Sequence, residues 1–131
     1  MQEYIFRLKK GDDLYDSIQK YCQENNILAG VVVSGVGSLL SAHIRDASGV
    51  NAQDINEPTE IVSLNGTVSK NRLHLHISLS KTDLSVVGGH LLTGCKINTT
   101  CEVAILKFEN YEFSKEFDTE TGYNELKIIK K

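Results

Sequence analysis

The sequence predicts an α+β domain: one main helix packed on a mostly antiparallel sheet that curls toward a barrel. Three observations carry this reading. Apolar and polar residues alternate with period two along most of the chain, only the stretch from Leu14 to Cys22 carries helical spacing, and the connections between them are short. The tally is one helix against roughly eight strands, and a single helix cannot cover both faces of such a sheet. Part of the sheet is therefore expected to meet solvent or another subunit. At 131 residues the chain reads as one domain, 1–131, large enough to bury a core without disulfides.

The elements follow in order. Glu3 to Leu8 alternates, with Tyr4, Phe6 and Leu8 on one side, and reads as a first strand that Gly11-Asp12-Asp13 breaks. Leu14, Ile18, Tyr21 and Cys22 fall on one helical face, and Asn25-Asn26 supplies a stop. Ile27 to Val33 is continuously apolar, as a buried strand should be. Ser34-Gly35-Val36-Gly37-Ser38 lacks the third glycine of a dinucleotide fingerprint and is followed by another strand-like run, Leu39 to Asp46. It is expected to form a tight corner between two strands. Ala47 to Pro58 reads as a surface loop and Glu60 to Ser69 as a strand with Val62, Leu64, Gly66 and Val68 on its more apolar face. Cys101 to Phe108 and Tyr111 to Asp118 are further strands, and Thr119 to Lys131 a polar turn and short tail.

The stretch with most chemistry runs from Leu73 to Cys95 and holds three of the four histidines. Strict alternation from Leu73 to Ser80 sends Leu73, Leu75, Ile77 and Leu79 inward and leaves His74, His76, Ser78 and Ser80 on the other face. Residues two apart on a strand lie roughly 7 Å apart, close enough for two imidazoles to converge on one ion. Leu84 to Leu92 is expected to return beside this strand, carrying His90 after Gly88-Gly89, a pair that re-aims the next side chain. His74, His76 and His90 are thus candidate metal ligands. Three histidines with an open fourth position is how catalytic zinc is usually held, whereas structural zinc prefers a closed, cysteine-rich set.

Composition narrows the partners. A formal net charge of -3 opposes a strong electrostatic footprint for nucleic acid, and the only local basic patches are Lys9-Lys10 and the C-terminal lysines. No apolar run reaches the length of about 20 residues that spans a bilayer, and the N-terminus has no charged signal-peptide pattern, so the expected compartment is cytoplasmic. Cys22, Cys95 and Cys101 lack Cys-x-x-Cys spacing and are expected to be small buried hydrophobes.

Val33-Ser-Gly-Val-Gly-Ser38, Ser63-Leu-Asn-Gly-Thr67, Leu73-His-Leu-His-Ile-Ser-Leu-Ser80, Gly88-Gly-His-Leu91 and Thr100-Cys-Glu-Val103 resemble, in order, signatures of the plants-and-prokaryotes-conserved (PPC) domain family. The resemblance covers nearly the whole chain and is of the stand-alone prokaryotic type. It implies a barrel-like α+β sheet, a homotrimer, and zinc held by His74, His76 and His90. Plant members attach the domain to AT-hook segments built on Arg-Gly-Arg-Pro, but here Arg7, Arg45 and Arg72 are followed by Leu, Asp and Leu. The resemblance therefore implies a regulatory or assembly module, of the kind often called DNA-binding, whose own contact with DNA is weak or absent and whose partners are other proteins or a small anionic ligand.

A similar fold and histidine pattern also occur in acetolactate decarboxylase, which suggests an alternative, a zinc-dependent lyase or hydrolase acting on a small anionic metabolite. Such an enzyme needs a proton donor or base and a carboxylate clamp near the metal. Glu102 is the candidate for the first role and Arg45 for the second.

Overall fold

The computed structural model describes residues 1–131. Along the chain run β1 (Gln2–Lys9), α1 (Leu14–Glu24), β2 (Ala29–Arg45), β3 (Ala52–Ile55), β4 (Thr59–Ser69), β5 (Arg72–Ser80), β6 (Val86–Leu91), β7 (Lys96–Lys107), β8 (Tyr111–Asp118) and β9 (Tyr123–Lys130). The α+β expectation holds. A 7-stranded sheet in the order β1-β7-β2-β4-β5-β6, with β3 attached to β2, carries the single helix, and β8 pairs with β9 as a separate hairpin.

The sheet curls because its far edge turns back on its middle. Beyond its pairings with β4 and β7, β2 reaches β6, with Ile44 opposite Leu91 and Arg45 opposite His90. This closes β2, β4, β5 and β6 into a ring and removes two strand edges that would otherwise present unpaired backbone groups. The core lies on the inner side of the sheet under α1. Leu73, Leu75, Ile77 and Leu79 are each no more than 3% exposed, as the alternation predicts. Each such side chain contributes about 1.5–3 kcal/mol of burial.

Helix α1 begins where Asp13 caps it: one carboxylate oxygen accepts from the Asp16 N–H at 3.0 Å. The other accepts from the Gly94 N–H at 2.7 Å, so the same residue ties the helix to the segment after β6. Leu14, Ile18 and Cys22 form its buried face. Asn26, at φ 54, ends it in the left-handed region that asparagine tolerates.

Five local expectations require correction. Ser34 to Ser38 is not a corner, because β2 runs unbroken from Ala29 to Arg45, with Gly35 opposite Val103 and Gly37 opposite Cys101 of β7 and register shifts on either side of them. A methyl group at Gly37 would lie 2.1 Å from the Thr100 carbonyl oxygen, and one at Gly35 2.6 Å from Leu64 Cδ2, so these glycines permit close approach rather than chain reversal. On β4, a bulge between Ile61 and Ser63 turns Ile61 into the core and leaves Val62 58% exposed. The loop from Ala47 to Pro58 contains the short strand β3, and β7 begins at Lys96 rather than Cys101. The C-terminal tail is instead strand β9.

The cysteines are buried and unpaired, as expected. Burial pushes the Cys22 thiol up to about 12 and the Cys101 thiol up to about 11, which keeps both in the unreactive protonated form near neutrality. No helix is long and apolar enough to cross a membrane.

Candidate metal centre

Two adjacent strands build the centre. Alternation on β5 puts His74 and His76 on the face opposite its buried leucines, and the β5–β6 register sets His90 directly across from His76. Cross-strand partners share a face. Glycine makes this approach possible: a methyl group at Gly88 would lie 2.6 Å from the Ile77 carbonyl oxygen, and one at Gly89 2.4 Å from that of Arg45.

The three rings converge. Their centroids are 5.3 Å apart for His74 and His76, 5.3 Å for His74 and His90, and 5.6 Å for His76 and His90. One ring nitrogen from each lies within 4.8 Å of the other two. Two nitrogens bound to a tetrahedral zinc ion stand about 3.4 Å apart, so modest ring rotation brings the set to bonding geometry. The local chemistry also fits a cation. His90 Nδ1 is buried and has no hydrogen-bond partner, a state that is costly for a polar atom and that a metal bond or a donor would relieve.

Electrostatics keep the ligands in the form a metal needs. Burial first, then the positive charge of Arg45, holds the His90 imidazole down at about 4, well below its usual 6.5. His74 is also lowered, by burial first and then by Arg72. Both imidazoles are therefore neutral near pH 7 and have lone pairs available.

Ring closure through β2 brings Arg45 beside His90, and its Nε is likewise buried without a partner. A cleft of 440 Å³ opens at this point, lined by Arg45, Ser63, Asn65, His76, Ser78 and His90 among others. The structure thus joins Arg45 to the histidines. Glu102 lies elsewhere, on the outward face of β7 between Arg7 of β1 and Val36 of β2, and does not line this cleft. Ser63 and Asn65 share one face of β4, a placement legible in the alternation, but only the β4–β5 register brings Asn65 opposite His76.

The sequence matches the family model of the Plants and Prokaryotes Conserved (PCC) domain over residues 1–109. The chain belongs to this family. A hypothetical protein from Salmonella shares the fold with a TM-score of 0.95 at 29% identity, covering 98% of this chain and 94% of that one. The metal-containing protein from Archaeoglobus fulgidus is 32% identical, with a TM-score of 0.82 and coverage of 95% and 91%. A Bacteroides thetaiotaomicron protein, provisionally called DNA binding, is 26% identical with a TM-score of 0.86, covering 95% and 91%. Among curated sequences, the bifunctional protein GlmU of Synechococcus sp. (strain JA-3-3Ab) is 35% identical over 130 residues, 99% of this chain. This PCC-domain chain spans about a fifth of the length of the curated relatives it matches, 21% and 20%.

Proposed function

We propose that this PCC-domain protein binds zinc through His74, His76 and His90 and uses the open coordination position, with Arg45 beside it, to hold a small carboxylate- or phosphate-bearing anion. The observation that carries the reading is the convergence of three imidazole nitrogens within 4.8 Å, with His76 and His90 lining a cleft beside Arg45, whose buried Nε has no partner. Three neutral ligands leave zinc its full charge, which polarises a bound oxygen and lowers the pKa of bound water. Arg45 supplies a planar donor fork for the same anion, and Ser63, Asn65 and Ser78 line the cleft with further polar groups. The metal-containing relative from Archaeoglobus fulgidus supports the metal assignment. The same cleft suits ligand sensing or a zinc-dependent lyase or hydrolase reaction on such an anion.

The second reading concerns assembly. Ile5, Val36 and Val62 are 73%, 57% and 58% exposed on the outer side of the sheet. An apolar surface of this kind fits the homotrimer that the family implies, with Glu102 and Arg7 opposite one another on the same face. Direct DNA binding is weak or absent in this reading, since a net charge of -3 releases few counterions from a duplex. A cytoplasmic module that works alone or beside another activity is consistent with relatives in which a similar sequence is one part of a larger chain.

The deciding measurement is elemental mass spectrometry of protein purified without a histidine tag, with His74→Ala and His90→Ala alongside. One zinc per chain in the parent, lost in both variants, is the expected result. A parent that stays metal-free after zinc is added back near neutral pH overturns the metal reading.

A further inference from the structure

The register of the closed ring sorts the cleft beside the histidines into two levels. Asn65 of β4 stands opposite His76 of β5, His76 opposite His90 of β6, and His90 opposite Arg45 of β2, so one row crosses four strands. Two residues further along β5, on the same face, Ser78 stands between Ser63 of β4 and Gly88 of β6. Both levels line the same cleft.

Their chemistry differs. The first level holds the positive guanidinium of Arg45, whose buried Nε has no partner, and two of the three candidate metal ligands. The second is neutral. Its Ser63 and Ser78 hydroxyls are hydrogen-bonded to one another at 2.6 Å, and Gly88 puts no side chain beside Ser78. Two hydroxyls carry two O–H donors and four lone pairs, and their mutual bond uses one of each. One donor and three acceptor sites are left. Such a pair suits a group that both gives and takes a hydrogen, a hydroxyl, better than a carboxylate, which only accepts. Charge acts in the same direction. Asp46 also borders the cleft, its carboxylate accepting from the Ser48 N–H at 2.9 Å, and its negative charge opposes a second anionic group on the ligand.

We propose that the cleft selects a short carboxylic acid that ends in a hydroxyl, with the carboxylate at the level of Arg45 and the histidines and the hydroxyl on the Ser63–Ser78 pair. The inference rests on the metal and anion reading above and narrows it to one substrate class. Residues two apart on a strand lie roughly 7 Å apart, a span that an extended acid of about four carbons bridges. Ser63 and Ser78 are specificity residues in this arrangement, whereas Arg45 anchors any acid that enters.

The test titrates the zinc-loaded full chain by calorimetry with three acids of equal carbon count: butyrate, γ-hydroxybutyrate and succinate. They differ in ending in a methyl, a hydroxyl or a second carboxylate. The hydroxy acid is expected to bind tightest, ahead of butyrate by roughly three- to tenfold, the value of one neutral hydrogen bond. In the Ser63→Ala/Ser78→Ala double variant that advantage should vanish, while Arg45→Ala should weaken both acids together. A merely structural role for the serines predicts that the double variant weakens all three acids alike with the preference intact, and that result overturns the proposal. A parent that binds butyrate or succinate as tightly as γ-hydroxybutyrate overturns it too and leaves the anion reading standing. A zinc-loaded parent that binds none of the three overturns the anion reading and this inference with it. A parent that takes up no zinc removes the metal reading on which both rest.

Discussion

Ring closure between β2 and β6 is the step that delivers His90 to the other two histidines, and Gly89→Ala probes it directly. A methyl group at Gly89 would sit 2.4 Å from the Arg45 carbonyl oxygen, against 3.4 Å for an ordinary contact, so the two strands must part by about 1.0 Å. The obstacle is backbone, which has no rotamer to yield. Overpacking of this kind costs about 1–3 kcal/mol. The effect on the site is larger than the effect on the fold, because a metal tolerates ligand distances only within about 0.2 Å of ideal. Gly89→Ala is therefore expected to fold with a lowered urea midpoint and to lose zinc as His90→Ala does, read by elemental mass spectrometry and chelator competition. Gly11→Ala is the control. It strains a residue at φ +88 with nothing within 4 Å, so it should cost about 1–2 kcal/mol while zinc binding is unchanged. Parent-like zinc affinity in a destabilised Gly89→Ala protein would refute the idea that the β2–β6 contact sets the position of His90.

Three further outcomes are expected. The metal-free protein should lose stability as pH falls from about 6.5 to about 4. The depressed His90 stays neutral in the fold through that window, among Arg45, His74, His76 and Arg72, while the unfolded chain takes up the proton; urea titrations across pH should show the slope, and His90→Asn should flatten it. Arg45→Ala in the zinc-loaded protein should weaken binding of acetate or phosphate by roughly 10- to 100-fold, the value of a hydrogen bond to a charged group, with zinc affinity kept or tightened; equal anion affinity by calorimetry removes Arg45 from the clamp role. Val36→Asp should convert a trimer into monomers in sedimentation experiments, and a parent that sediments as a monomer at micromolar concentration refutes the assembly reading.

How much of this was legible depends on whether a residue's role is local. Alternation from Leu73 to Ser80 is a local signal, and it placed four side chains in the core and two histidines outside it without reference to any other strand. The stop at Asn25-Asn26 is local in the same sense. The misreadings share the opposite property. Gly35 and Gly37 look like a turn until Leu64 and Thr100 are seen pressed against them, and Val62 looks inward-facing until β5 imposes a bulge. Strand β9 reads as a polar tail because its burial is slight, and it exists as a strand through its register with β8. The site divides along the same line. His74 and His76 belong to one strand, whereas Arg45 reaches His90 only through a pairing of two residue pairs between β2 and β6. The β8–β9 hairpin meets the start of β5 through Arg72, whose guanidinium donates to the Asn124 carbonyl oxygen some fifty residues away in sequence. Long-range closure of this kind carries a loop-closure cost that only the assembled fold can offset. The histidines can therefore be recognised from spacing, but Arg45, which shapes their charge environment, joins them only when the ring has closed.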